Sequence, residues 1–231
     1  MKLHALGMVS IAVLGAAAFA SPSLAAPASI GDELITWVSK HFDEVYLRPN
    51  ADLAAYRKII IDQPRVEFQK GWLKDINRTR DPARWLVPDD QQQITDDLAA
   101  GMGRVFADVF KARGYEVAAA PGPGVLRLTP SVIDLFLNAP DVQSADPTYL
   151  FSVDAADATL VLEARDAVTG TVLARFVDRS TAHEMKRRAN FTSKVSNLFW
   201  MEALSRQWAT NSAKEFEAGS DRVRTSSAPV Q

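Results

Sequence analysis

Residues 158–179 read ATLVLEARDAVTGTVLARFVDR, and the fold turns on how they pair. Ala158, Leu160, Leu162 and Ala164 recur at a period of two, the mark of a half-buried strand. Val172, Ala174 and Phe176 supply a matching face on the return. Both apolar sets carry even numbers, so opposite partners must sum to an even number if the two faces are to coincide. A three-residue loop, Val168-Thr169-Gly170, meets that condition with Gly170 in the left-handed position of a bulged turn. This register sets Leu162 against Phe176 and Ala167 against Thr171. It also sets Glu163 against Arg175 on the outer face, as an ion pair across the strands.

Upstream of this hairpin, residues 125–137 alternate as a further strand, entered through a Pro121-Gly122-Pro123-Gly124 turn. Residues 115–119 read as a short strand. Residues 88–113 give the clearest helix. Ile94, Leu98, Met102, Val105, Phe106, Val109 and Phe110 form one stripe. Pro88, Asp89 and Asp90 suit its N-terminus, and Gly114 is its stop. Gly101 and Gly103 sit inside it, which close packing against a sheet would explain. Residues 58–62 are a β-branched run that predicts a strand. Pro64 then marks an edge, bulge or bend, and residues 65–68 resume the period of two. Ile30, Leu34, Trp37, Val38 and His41 fall at helical spacing, which predicts an amphipathic helix over 29–42, docked on the core or on a membrane. Residues 191–218 form a closing helix, with Val195, Leu198, Met201, Leu204 and Trp208 inward and Gly219 as its end. Residues 139–147 read as a loop. The expected fold is α+β in a single domain: a mixed, mostly antiparallel sheet of four to five strands, with two main helices packed on one face.

The N-terminus has the pattern of a secretory leader. Lys2 and His4 precede an apolar run over 5–20, and Ser23-Leu24-Ala25 places small residues at a cleavage site. The expected organisation is a signal peptide at 1–25, one α/β domain at 26–218, and a polar disordered tail at 219–231. The expected location is the periplasm, with cleavage near Ala25. The apolar run is shorter than a membrane span needs. The sequence holds no cysteine, so lipid acylation, disulfides, thiol catalysis and Cys-based metal sites are excluded. Its 26 basic and 28 acidic residues do not make a nucleic-acid binder.

Catalytic signatures are weak. Beyond the leader the histidines are His41 and His183, far apart in sequence. No Gly-x-Ser-x-Gly elbow or His-Glu-x-x-His motif occurs. Gly101-x-Gly103 lies inside a helix, which is the wrong context for a phosphate cradle. Asp89/Asp90 and Asp96/Asp97 suit helix first turns, and Asp154 with Asp157 are too few to hold a cation. No cofactor or metal is expected. The segment most suited to recognition is 69–87, where Lys70, Lys74, Arg78, Arg80 and Arg84 interleave with Trp72 and Trp85. Cations beside aromatic faces suit an anionic partner. The candidate binding residues are therefore Trp72, Arg78, Arg80, Arg84 and Trp85. The alternative is a solvated loop with its tryptophans tucked beneath the sheet. Lys186-Arg187-Arg188 is a second basic cluster, read as a connector.

Three stretches together carry a family resemblance. They are Tyr56-Arg57-Lys58-Ile59-Ile60-Ile61-Asp62, then Tyr115-Glu116-Val117 through Pro121-Gly122-Pro123-Gly124 to Val125-Leu126-Arg127-Leu128. The last runs from Ala158-Thr159-Leu160 through Val168-Thr169-Gly170 to Val177-Asp178-Arg179. They resemble an exported bacterial family of unknown function, the domain numbered thirty-three thirteen, over about 43–216. The resemblance implies a bacterial envelope location and carries over no catalytic residue. Many members are lipoproteins, whereas this chain lacks the acylated cysteine. The expected function is a non-enzymatic envelope protein that binds another envelope protein or an anionic envelope polymer. Two alternatives stand beside it: an envelope-polymer hydrolase built on spatially assembled carboxylates, and a carrier of lipid or another hydrophobic ligand.

Overall fold

The computed structural model describes residues 34–78, 80–137, 156–181 and 197–218, with side-chain surroundings given from residue 200 in the last stretch. The leader at 1–25, the loop at 139–147, His183, the basic cluster at 186–188, Asp154 and the tail at 219–231 lie outside them. All described residues belong to one compact unit, Asp32–Gln231.

The sheet has eight strands. They are β1 (Ile35–Trp37), β2 (Glu44–Leu47), β3 (Lys58–Ile61), β4 (Arg65–Phe68), β5 (Glu116–Val117), β6 (Val125–Leu137), β7 (Ala156–Asp166) and β8 (Val172–Thr181). Three α-helices accompany them among the described residues: α1 (Trp72–Arg78), α2 (Pro88–Ala112) and α3 (Asn197–Glu217). The spatial order is β1-β2-β8-β7-β6-β3-β5, with β4 also on β6. The expectation of four to five strands and two helices is therefore corrected.

The extra strands escaped for separate reasons. The helical spacing around Trp37 belongs to β1, which pairs antiparallel with β2 through Ile35↔Leu47 and Trp37↔Val45. Ile-Thr-Trp favours a pleated surface, and the ladder to β2 overrides a short helical period. The run around Pro64 is two strands, β3 and β4, both parallel to β6. Pairing stops after Ile61↔Leu128 and resumes at Arg65↔Ser131. Pro64 and Pro130 both fall in that gap, where the donor each lacks is not needed.

The hairpin follows the expected register over most of its length. Leu162 faces Phe176, Glu163 faces Arg175, and Ala164 faces Ala174. Gly170 takes φ +71°. The register then shifts by one between Ala164 and Arg165, and the Asp166 amide donates to the Thr171 carbonyl at 3.0 Å. Leu173 is the extra residue, so Ala167 does not face Thr171. The Leu173 carbonyl turns to accept from the Arg48 amide at 2.8 Å.

α2 and α3 close over the even-numbered face of the hairpin. Leu160, Leu162, Phe176, Phe106, Phe110, Leu204, Trp208 and Phe216 are all fully buried there. Phe42, Phe176, Phe216, Phe110 and Tyr115 form a chain of ring contacts between 5.1 and 5.7 Å. Each such side chain contributes roughly 1.5–3 kcal/mol on burial. Trp72, Ile76 and Leu86 form a satellite cluster under α1. α2 begins with Asp90 accepting from the Val87 amide at 2.8 Å and ends before Gly114, as its capping residues predict. The close-packing reading of its glycines holds for Gly103, whose added Cβ would stand 3.3 Å from Pro64 Cδ. It fails for Gly101, which has no sheet atom within reach.

Candidate functional site

The basic segment 69–87 is ordered by two tryptophans with opposite fates. Trp72 opens α1 and is 2% exposed. Its ring stacks on Phe68 at 4.0 Å, and its indole N–H donates to the Leu137 carbonyl at 2.8 Å. It is a core residue of the satellite cluster. Trp85 is 54% exposed, and Val87 beside it is 50% exposed. The structure thus separates the two tryptophans that the sequence placed in one patch.

Trp85 is presented on a pinned backbone. The Asn77 side chain reaches across from α1, donating to the Leu86 carbonyl at 2.8 Å and accepting from the Leu86 amide at 2.9 Å. This is the pairing a neighbouring strand would make, supplied by one amide. Leu86 itself is buried. Asp81 caps the short 3₁₀ turn Pro82–Arg84 by accepting from the Ala83 amide. The Trp85 indole N–H leans on the Arg80 carbonyl at 3.3 Å. Arg80 in turn donates to the Arg84 carbonyl at 3.3 Å. Arg80, Arg84 and Trp85 therefore form one knob. Arg78 points from the end of α1 and pairs with Asp75 at 2.5 Å. Lys70 and Lys74 are exposed nearby in sequence.

A second polar cluster was not legible in the sequence. Ser39 Oγ donates to Glu215 Oε1 at 2.7 Å, and His41 Nδ1 lies 2.8 Å from the same oxygen. Glu215 is 3% exposed, and the residues lie more than 170 positions apart. The residue types match an acid–His–Ser relay, but the arrangement does not. A nucleophilic serine must meet the imidazole nitrogen that the acid leaves free, whereas here serine and histidine share one carboxylate oxygen. Asn211 also donates to the His41 carbonyl at 3.3 Å. The cluster ties the β1–β2 connection to α3.

Three of the carboxylates read from sequence are each engaged with one partner. Asp90 caps α2, Asp96 accepts from Gln92 at 2.9 Å, and Asp157 lies 3.8 Å from Arg179. Glu163 is penalised by burial, but hydrogen bonds from Arg175 and Arg165 outweigh this and hold its carboxyl below the usual range. Asp166 is also held low, chiefly by the Thr169 amide. Both shifts run opposite to the raised value a general acid needs. Two clefts, of about 350 and 400 Å³, open to solvent and carry charged side chains such as Arg104 and Arg48.

Comparison with known proteins adds the following. No curated protein sequence matches the chain. Among solved structures, a PelC dodecamer subunit from Paraburkholderia phytofirmans is similar at 11% identity and TM-score 0.37, covering 72% of this chain and 96% of that one. A DUF4136 family protein from Bacteroides thetaiotaomicron shares 11% identity at TM-score 0.34, covering 81% of this chain and 99% of that one. A putative neuraminyllactose-binding hemagglutinin homolog from Helicobacter pylori shares 9% at TM-score 0.32, covering 74% and 89%. Scores this low fix no function. The family described as "Protein of unknown function (DUF3313)" matches residues 32–212. The resemblance carried by the strand and turn motifs is thereby borne out, and the chain belongs to the DUF3313 family.

Proposed function

We propose that this protein is an exported, periplasmic, non-catalytic envelope protein that binds another envelope protein through the Trp85 knob. The supporting observation is the exposed Trp85–Val87 pair on a backbone that Asn77 holds in place. An aromatic residue kept in water by a rigid frame has its ordering cost already met, which favours association. The leader pattern at 1–25 supports export. No described helix is long and apolar enough to cross a membrane. The exposed Trp85 and Val87 side chains call for an apolar pocket on the partner surface.

The test is quantitative binding of W85A and W85F variants to the envelope protein captured by the mature chain. Removing a central aromatic anchor costs about 2 kcal/mol or more, roughly thirtyfold in affinity. W85F retains most of the binding. Unchanged binding of W85A sinks the proposal.

A further inference from the structure

Gly101 has no packing reason to be glycine. A helix-interior glycine is unfavourable against alanine, and a Cβ at Gly101 would meet only the tip of Arg104, Nη2, 3.9 Å away. Gly101 instead borders the cleft of about 350 Å³ between α2 and α3. Met102 and Met201 form the apolar floor of this cleft. Ser205 lines it from α3 and is 1% exposed. Its hydroxyl makes no hydrogen bond among the described residues. Its oxygen is not among the fully buried polar atoms that lack a partner, so it opens on the cleft and is available to a group held there.

The charges at the cleft narrow what that group is. Glu202 and Arg206 neutralise each other at 3.0 Å. Arg104, Asp97 and Asp108 also line the cleft and make no ion pair among the described residues. They stand seven and four positions apart along α2, on one helical face. One guanidinium thus sits between two carboxylates, above an apolar floor.

We propose that this cleft binds a small zwitterion, an α-amino acid with an apolar side chain or the corresponding short peptide. The ligand carboxylate accepts from Arg104 and from the Ser205 hydroxyl. Its ammonium meets Asp97 or Asp108, and its side chain lies on Met102 and Met201. The missing Cβ at Gly101 lets the ligand backbone come close. A simple anion would face the two aspartates, and a simple cation would face Arg104. The volume lies at the small end of ligand pockets.

The experiment is calorimetric titration of the mature protein with L-leucine, L-leucyl-L-leucine, isovalerate and isoamylamine. Saturable binding of leucine or of the dipeptide is expected, and the tighter of the two identifies the source. Isovalerate and isoamylamine each lack one charged contact and bind at least about tenfold more weakly. R104Q and S205A each weaken binding of the zwitterion, R104Q by about tenfold or more. G101L fills the cleft and abolishes binding while keeping a melting temperature at or above wild type, because leucine is the better helix former. Absence of binding by both leucine and the dipeptide overturns the proposal. So does isovalerate or isoamylamine binding as tightly as leucine, or wild-type affinity in R104Q.

Discussion

Replacing Gly101 and Gly103 separately by alanine makes the same chemical change twice on one helix, in two different surroundings. In each case the helix gains roughly 0.8–1 kcal/mol from the intrinsic preference for alanine. At Gly101 nothing opposes that gain, because the nearest atom is the flexible tip of Arg104 at 3.9 Å. At Gly103 the new methyl would lie 3.3 Å from Pro64 Cδ and 3.7 Å from Cγ. Pro64 is a rigid ring in the break between β3 and β4, and it is buried. Overpacking a well-filled site costs about 1–3 kcal/mol, which cancels or exceeds the helix gain. G101A should therefore raise stability by about 1 kcal/mol, or about 2–4 °C in Tm for a domain of this size. G103A should be no more stable than the parent. Urea unfolding of the mature protein, followed by circular dichroism, reads both at equal slope. Equal stabilisation by the two substitutions would refute the account of how α2 meets the sheet.

Other substitutions probe the satellite cluster, the outer face and the loop end of the hairpin. W72F keeps a ring against Phe68 but strands the Leu137 carbonyl, which now accepts from the indole at 2.8 Å; a loss of roughly 1–3 kcal/mol in urea unfolding is expected. Glu163 has its carboxyl held below 4.5, so its contribution is present above that value and is lost as pH falls through the lower folded value. E163Q should accordingly flatten the fall in stability on the acid side, and an unchanged acid limb would count against the Arg165–Glu163–Arg175 arrangement. Tyr56 is pushed up to about 12 by burial and by donating to Asp166. Ultraviolet titration of the folded protein should find one phenol ionising near that pH, and Y56F should remove it.

How much of this was legible depends on how local each determinant is. The hairpin register follows from a period of two and a left-handed glycine, both within 158–179, and the Glu163–Arg175 pair followed from it. The shift at Leu173 did not, because its carbonyl is claimed by Arg48, far away in sequence. α2 was legible from its stripe and its caps. β1 was not, since a three-residue strand is defined by the neighbour it pairs with, and that neighbour is β2. At the candidate site, sequence composition singled out 69–87 but left open which tryptophan meets water. The Phe68 stack and the Leu137 carbonyl decide that for Trp72, and the Asn77 clasp decides it for Trp85. The Ser39–His41–Glu215 tie joins the two ends of the described chain, and no local pattern announces it.

The binding role of the knob is tested most directly by photo-crosslinking in living cells from a reactive residue placed at Val87, which is 50% exposed. A second protein carrying the residue at buried Trp72 serves as the silent control. The account predicts one discrete protein adduct from position 87 that persists in W85F, disappears in W85A, and is absent from position 72. No adduct from position 87, or an adduct that survives W85A unchanged, would contradict it.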